Sequence, residues 1–350
     1  MFPFIRPTMP EPNQWLPYLR PAYAVRRYSN FGPAHDELER RLTERLCPPG
    51  RIALLASSGT AAITAALIAL DVRGKVLLPS FTFPATLQAV EMAGCDPVFC
   101  DVSAETWEAG CDEIRPWLDR GIHAIVGVRS FGLCRDFSLL SEECARRSIP
   151  LVLDSAAALG GRLPNGQLVG GQGTMEAFSL HATKVFGIGE GGVVFAEPSQ
   201  AARLRQAINF GLNGETVSRG FNGKLSEFAA AVGLAVLDRF DLFLQVRRRR
   251  AARYGELLQQ YPDFRCPRDP GDPPWQTFPV RLPEGFDAGE FVRKARDAGL
   301  ELRRYYRPAL NPNPVAQALA RQMVCWPVYS DMTCEEIESI LAITRELLAG

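Results

Sequence analysis

The sequence predicts an α/β protein with a mostly parallel seven-stranded sheet, followed by a smaller C-terminal α/β domain. Two observations predict this class. First, seven short apolar runs occur in the first two thirds of the chain, and most are nearly continuous in Val, Ile, Leu and Phe, as is typical of strands covered on both faces. Second, helix-like segments such as 61–70 and 138–147 separate several of the runs. Strands that alternate with helices favour parallel pairing through right-handed crossovers.

The predicted elements follow in chain order. The seven strands are expected at residues 52–56, 75–79, 97–102, 124–129, 150–154, 177–181 and 192–197. The pattern then becomes helical, and residues 225–252 predict one long helix or two. Residues 262–285 are rich in Pro, Gly and Asp and predict a loop, which leads into a strand at 276–282. Further helices are expected near 288–298 and 334–348.

Chain length predicts two domains. A chain of 350 residues exceeds the roughly 250 residues beyond which a single core tends to divide. The strand-rich part comes first, and a second α/β pattern follows the loop. We therefore expect a large domain at 1–245 and a small domain at 246–350.

Composition excludes several functional classes. Lys plus Arg and Asp plus Glu number 39 each, so no net field favours nucleic acid or an anionic membrane. The uncharged run 228–237 is about half of the ~20 residues that span a bilayer, and the proline-broken amino terminus lacks a signal-peptide core. Nine cysteines are scattered without a CxxC pair, and three histidines lack metal-ligand spacing. We expect a cytoplasmic protein with reduced thiols and without a metal, membrane or nucleic-acid partner.

A carboxylate and an amine end two apolar strands in the middle of the chain. Asp154 ends the strand at 150–154, and Lys184 follows the strand at 177–181, just before the glycine cluster 187–192. A lysine in a pocket can lose its proton and form a Schiff base with an aldehyde, and a fixed carboxylate can keep a pyridine nitrogen protonated. Together they suggest pyridoxal phosphate (PLP) as the cofactor. The simpler alternatives are a solvated surface lysine and an aspartate that caps a turn.

A candidate anion site lies at Ser57, Ser58, Gly59 and Thr60, between a strand and an Ala-rich helix. The first N–H groups of a helix have no intrahelical partner, and the helix dipole also favours a phosphate there. An ordinary helix cap is the alternative. The glycine cluster precedes a strand instead of opening a helix, which argues against a dinucleotide loop. A turn that lets the backbone pass close to the cofactor is expected instead.

Several segments, in order along the chain, resemble the DegT/StrS family of PLP-dependent sugar aminotransferases. The most specific is Ser179-Leu-His-Ala-Thr-Lys184 with Gly189-Glu-Gly-Gly192, which resembles the family's Schiff-base segment. The others are Ser57-Ser-Gly-Thr-Ala-Ala62, Pro79-Ser-Phe-Thr-Phe83, Pro97-Val-Phe-Cys-Asp101, Gly220-Phe-Asn-Gly-Lys-Leu-Ser-Glu227 and Trp326-Pro-Val-Tyr329. The similarity spans residues 28–345. It implies a fold-type-I PLP-dependent transferase that works as a homodimer with shared active sites.

The resemblance also implies roles for single residues. Lys184 would form the Schiff base, Asp154 would pair with the pyridine nitrogen, and Phe83 would stack on the cofactor ring. Asn222 would reach the phosphate in the neighbouring subunit. Without the family context, Phe83 is a core residue and Asn222 a turn residue. The residues implied to bind the cofactor are Ser58, Gly59, Thr60, Phe83, Asp154, Ser179, Lys184 and Asn222.

Three departures from the family lie near the substrate side. Ala157 stands where the family commonly has Gln or His against the cofactor's phenolic oxygen, and Leu310 stands in place of a His. Lys224 stands where the family has an Arg, so a point charge replaces a planar fork of donors.

Two further features each have two interpretations. Residues 247–250, all Arg, predict a solvated helical face, with a nucleotide diphosphate contact as the minor alternative. His181 either lines the pocket or is structural.

The function expected from these residues and from the resemblance is that of a PLP-dependent aminotransferase. Glutamate or glutamine would donate the amino group, and a keto-sugar nucleotide or a related small ketone would accept it. A PLP-dependent lyase or dehydratase of the same family, acting on a cyclitol or other small substrate, is the alternative among enzymes. Dehydratases of the deoxysugar kind carry His in place of the Lys, so Lys184 argues against that version but not against aromatising dehydratases that keep the Lys. The third hypothesis is a non-catalytic sensor that binds PLP. Such a sensor would not need both Lys184 and Asp154, so the presence of both residues argues against it.

Overall fold

The computed structural model describes residues 1–266 and 271–349, and its centre is one seven-stranded sheet. The strands are β1 Ile52–Ala56, β2 Gly74–Pro79, β3 Cys95–Cys100, β4 Ala124–Val128, β5 Leu151–Asp154, β6 Met175–Ser179 and β7 Gly192–Ala196. Their order across the sheet is β1-β7-β6-β5-β4-β2-β3. Strand β7 runs antiparallel to both of its neighbours, and the remaining pairs are parallel. The predicted mostly parallel seven-stranded α/β sheet is confirmed.

Helices cover both faces of the sheet. The helices are α1 Pro12–Ala24, α2 Pro33–Leu46, α3 Gly59–Ala69, α4 Pro84–Met92, α5 Cys111–Ile114, α6 Ser138–Arg146, α7 Ala201–Ile208, α8 Glu227–Leu258, α9 Ala288–Asp297, α10 Pro314–Gln322 and α11 Cys334–Ala349. Helices α3, α4 and α7 share one apolar core with the sheet, while α1, α2 and α8 pack on the opposite face. Helix α3 is apolar all round and almost wholly buried, as a helix enclosed on every side must be.

Helix α8 is a single helix of 32 residues, so the open choice between one helix and two is settled as one. It begins after Ser226, whose hydroxyl accepts a hydrogen bond from the amide of Ala229. The expected boundary between residues 1–245 and 246–350 falls inside this helix and stays a prediction. In the described ranges, 1–266 and 271–349, no helix is long and apolar enough to cross a membrane.

The prediction of a solvated face at residues 247–250 is wrong for Arg247. Its side chain is buried, because α8 packs there against the C-terminal part of the chain. Arg249 is exposed, and Arg248 and Arg250 are half-buried. A run of charged residues alone does not reveal which side of the helix is covered by another part of the chain.

The C-terminal part contains an antiparallel pair of strands, β10 Thr277–Arg281 and β11 Met323–Pro327. Its core combines these strands with α9, α11 and the end of α8. The strand expected at 276–282 and the helices expected near 288–298 and 334–348 are therefore present. Residues 267–270 of the expected loop lie outside the described residues. A short hairpin, β8 Leu212–Asn213 with β9 Thr216–Val217, precedes α8.

A buried ion pair links β4 and β6, the two strands that flank β5 in the central sheet. Arg129, at the end of β4, donates from Nε to Oε1 of Glu176 in β6 at 2.8 Å, and both side chains are fully buried. Gln172 and the carbonyl of Arg135 accept further hydrogen bonds from the guanidinium. Ser155 donates to the same oxygen of Glu176. The charges are tolerated inside the protein because each has a hydrogen-bonded partner.

We predict that Glu176→Ala lowers the free energy of unfolding by about 3–5 kcal/mol, because it leaves Arg129 buried without its carboxylate. Asp112→Ala is the control, since Asp112 pairs with Arg115 at 3.4 Å on the surface. The control should cost less than about 1 kcal/mol. Urea unfolding of both variants measures the difference, and equal losses would contradict the account.

Candidate active site

A cavity of about 390 Å³ opens at the carboxyl ends of β4, β5 and β6 and contains seven of the eight residues expected to bind the cofactor. The residues of the expected set that line it are Ser58, Gly59, Thr60, Phe83, Asp154, Ser179 and Lys184. The C-terminal part also contributes to the lining, with Gln276, Thr277, Arg303, Tyr305 and Tyr306. The carboxyl edge of a parallel sheet thus brings together side chains that are far apart in sequence.

Lys184 projects into this cavity from the turn that follows β6. Its backbone amide donates to the carbonyl of His181 at 2.8 Å, which closes the turn. Its Nζ donates to Oε1 of Gln276 at 3.0 Å. Burial lowers the pKa of Lys184 to about 8, although the nearby Asp154 acts in the opposite direction. About a tenth of this amine is therefore neutral, and hence nucleophilic, at pH 7, far more than for a lysine with an ordinary pKa.

Asp154 ends β5 and is only 6% exposed. Thr86 in α4 donates to its Oδ2 at 2.7 Å, and the amide of Ala156 donates to its Oδ1 at 3.1 Å. Burial raises the pKa of Asp154, while these hydrogen bonds and the charge of Lys184 oppose the rise. One oxygen caps the turn, as the simpler alternative proposed, but the carboxylate also lines the cavity. A cation facing it from the cavity would hold it ionised.

The amino terminus of α3 lies at the wall of the cavity. Ser58 caps the helix, since its Oγ accepts from the amide of Ala61 at 3.0 Å and its carbonyl from that of Ala62 at 2.9 Å. Within the described part of the chain, no acceptor is present for the amides of Gly59 and Thr60. Two free N–H donors at a helix amino terminus are suited to a phosphate.

Glycines allow three segments to converge at this point. A Cβ added to Gly59 would lie 2.8 Å from Cβ of Ser179, and one added to Gly192 would lie 2.2 Å from the carbonyl oxygen of Ser58. Only glycine permits such close approach of α3, β6 and β7. The glycine cluster therefore helps to place Ser179 beside the free amides of α3.

The remaining expected residues lie at or beyond the rim. Phe83 is 53% exposed at the edge of the cavity. His181 lines the cavity, and its Nδ1 is 2.8 Å from Oγ1 of Thr183. Asn222 is exposed and does not line the cavity of its own chain; its backbone pairs with Asn209. Lys224 donates to Oδ1 of Asn209 at 3.1 Å.

Sequence reasoning missed three contributors to the site. Thr86 holds Asp154 from α4, and nothing in its local sequence marks it. Tyr306 stacks on Phe131, with ring centroids 5.0 Å apart, and its hydroxyl accepts from the amide of Phe131 at 3.2 Å. Gln276 opens the predicted strand at 276–282, and a polar residue at that strand end was the available signal.

A model of the DegT/DnrJ/EryC1/StrS aminotransferase family matches residues 14–345. The chain belongs to this family. A protein of Mycobacterium tuberculosis, Rv3402c, is 38% identical over 71% of this chain and 62% of its own length. The chain thus matches less than two thirds of that relative. The Shigella dysenteriae dTDP-4-amino-4,6-dideoxy-D-glucose transaminase is 27% identical over 98% of both chains.

The fold of this DegT/DnrJ/EryC1/StrS member is also that of solved structures. The structure of a putative PLP-dependent aminotransferase from Bacillus cereus matches with a TM-score of 0.91 and 27% identity, over 100% of both chains. The predicted family and the predicted fold-type-I architecture are confirmed. The family is one of PLP-dependent aminotransferases.

We predict that the rate at which Lys184 reacts with a small amine-acylating reagent reaches half of its maximum near pH 8. An amine reacts only when neutral, and a pKa lowered to about 8 makes the neutral form prevail above that pH. Trace acetylation of the cofactor-free protein between pH 6 and 10, followed by peptide mass spectrometry, measures the profile. The exposed Lys294 provides an internal reference in the same digests. A Lys184 profile that still rises steeply at pH 10 would contradict the prediction.

Proposed function

We propose that this protein is a PLP-dependent aminotransferase that moves an amino group from glutamate or glutamine to a keto-sugar nucleotide or a related keto substrate. One observation carries the proposal. Lys184 and Asp154 line one cavity together with the free amides of Gly59 and Thr60. An amine, a carboxylate and an anion-binding helix end in one cavity match the aldehyde, the ring nitrogen and the phosphate of PLP.

The donor set of the cavity fits this cofactor. The phosphate would lie at the amino terminus of α3, held by the amides of Gly59 and Thr60 and by the Ser179 hydroxyl. Ser58 contributes as the helix cap. Asp154 would face the pyridine nitrogen, and Phe83 would cover the ring from the rim. When bound, PLP supplies an aldehyde that takes up the amino group and a ring that withdraws the electrons left when the donor loses its α proton.

The chain's own residues would handle the protons. The lowered pKa of Lys184, about 8, leaves its Nζ able to take up the proton that leaves the donor's α carbon, to hold it in the cavity and to release it again. Thr86 and the Ala156 amide hold the Asp154 carboxylate in one orientation. Because the hydrogen bonds are in place before substrate binds, little reorganisation is needed during the reaction.

Two features support the proposed substrates. Arg303 lines the cavity with a partly exposed guanidinium, and a planar fork of donors suits the carboxylate of an amino-acid donor. The Shigella dysenteriae relative is named a dTDP-4-amino-4,6-dideoxy-D-glucose transaminase, and it aligns with nearly the whole chain. A keto-sugar nucleotide is therefore the acceptor class that we propose first.

We also propose a homodimer in which Asn222 reaches the phosphate site of the partner. Asn222 is exposed and lies outside the cavity of its own chain, as a residue with that role would. Aromatic side chains of Tyr23, Tyr28 and Phe228 are exposed together near the start of α8. Exposed apolar clusters of this kind are suited to burial in a subunit interface.

We expect Asp154→Asn to retain the cofactor yet slow the amino-donor half-reaction by on the order of 100-fold or more, because a preorganised electrostatic partner is lost. Stopped-flow spectra of the bound cofactor after mixing with glutamate measure this rate. Asp101→Asn is the matched control, since Asp101 accepts from the amides of Val315 and Ala316 and lies outside the cavity. The control should lose stability and keep its rate. An Asp154→Asn variant with lower melting temperature and a normal rate would show a purely structural carboxylate.

Mixing of inactive variants tests the shared site. In a heterodimer of Lys184→Ala and Asn222→Ala subunits, one cavity has both groups, so activity should return. Lys184→Ala mixed with Asp154→Ala is the control, because both residues line the same cavity of one chain and neither heterodimer site is complete. Recovery in neither mixture, with heterodimers verified by native mass spectrometry, would mean that Asn222 does not act across an interface.

A further inference from the structure

We propose that Gln276, held in place by the buried Arg247, is a positioning residue for the reactive amine of Lys184. The inference rests on the role proposed above for Lys184. It concerns a hydrogen bond that joins two segments 92 residues apart in sequence, one after β6 and one before β10. Neither Gln276 nor Arg247 belongs to the set of residues expected to bind the cofactor.

The contact itself is direct. Nζ of Lys184 donates to Oε1 of Gln276 at 3.0 Å inside the cavity that both side chains line. The neighbouring charged group that acts on this amine is Asp154, and its carboxylate is already held by Thr86 and the Ala156 amide. Gln276 therefore supplies a neutral acceptor that fixes the direction of the amine without neutralising its charge.

Arg247 holds Gln276 from behind. Its side chain, 5% exposed, donates from Nη1 to the carbonyl oxygens of Trp275 at 3.0 Å, Gln276 at 3.2 Å and Val328 at 2.7 Å. Its Nε donates to Oγ of Ser330 at 2.8 Å. These acceptors are all neutral, and burial lowers the pKa of Arg247 to about 10, so the guanidinium still carries its charge at neutral pH.

Arg247 thus forms hydrogen bonds with two segments that flank the paired strands β10 and β11. The Trp275–Gln276 segment precedes β10 and the Val328–Ser330 segment follows β11. Because Arg offers several donors in a rigid plane, it fixes both segments at once. Arg247 in α8 therefore fixes the position of the Gln276 backbone, and the Gln276 side chain extends to the amine from that fixed position.

The acceptor should influence which form of Lys184 prevails. A carbonyl oxygen that accepts from Nζ stabilises the ammonium form, so its loss should favour the neutral amine. Replacing the amide with a carboxylate should stabilise the ammonium form further. A purely structural Gln276 predicts no such response, because removing it would change the stability of the fold and leave the protonation of Lys184 alone.

The test measures the pH profile of Lys184 acetylation in cofactor-free protein, so it needs no catalytic activity. Gln276→Leu removes the acceptor, and its midpoint should fall by about one pH unit. Gln276→Glu keeps an acceptor at the same position and adds a charge, so its midpoint should rise by about one unit. Gln276 is half-buried at the cavity wall, so both variants are expected to fold.

Arg247→Met tests the second step, with Arg249→Met as the control on the exposed side of the same helix. Arg247→Met should lower the Lys184 midpoint in the same direction as Gln276→Leu, and the double variant should shift it no further than Gln276→Leu alone. Arg249→Met should leave it unchanged. If Arg247→Met does not fold, the two Gln276 variants still decide the main step.

Unchanged midpoints in both Gln276 variants would overturn the proposal. Borohydride reduction with PLP and peptide mapping distinguishes this failure from failure of the proposed function. Cofactor fixed on Lys184 with unchanged midpoints would refute the positioning role alone. Shifted midpoints with no cofactor on Lys184 would support the contact and refute the proposed function.

Discussion

The enclosure of an amine and a carboxylate in one cavity is the physical constraint on which the rest of the site depends. Burial disfavours the charged form of each group, lowering the pKa of Lys184 and raising that of Asp154. Each group partly offsets the penalty on the other. The surrounding hydrogen bonds, from Thr86 to Asp154 and from Lys184 to Gln276, then fix where the two groups point.

The central sheet determines where Asp154 and Lys184 lie. Strands β5 and β6 are parallel neighbours, so their carboxyl ends meet at one edge and bring Asp154 and the turn before Lys184 together. Helix α3 enters the same edge after β1, and glycine at positions 59 and 192 allows the close packing there. The absence of a side chain at these two positions is thus as necessary as the groups that carry the chemistry.

The sequence reveals those parts of the site that depend on local pattern. Asp154 and Lys184 could be predicted because each ends a strong apolar run, and ends of neighbouring parallel strands lie together. Contacts between distant segments carry no such local signal. Gln276 contacts Lys184 from 92 residues away in sequence. The arginine run at 247–250 predicts a solvated face, because nothing in the helix itself marks the segment that covers Arg247. Likewise, the apolar pattern predicts that the sixth strand starts at 177, because Glu176 is charged. In the structure β6 starts at Met175, since the pair with Arg129 allows a charged side chain inside the strand.

The proposed function requires that the cavity around Lys184 moves nitrogen from an amino acid to a ketone. The most direct measurement supplies glutamate or glutamine labelled with nitrogen-15 at the α-amino group, together with candidate keto-sugar nucleotides, and determines the mass of the product. We expect the label to appear in an aminated sugar nucleotide and Lys184→Ala to abolish the transfer. An acceptor that is consumed without gaining the label, or a label transferred equally well by Lys184→Ala, would contradict it.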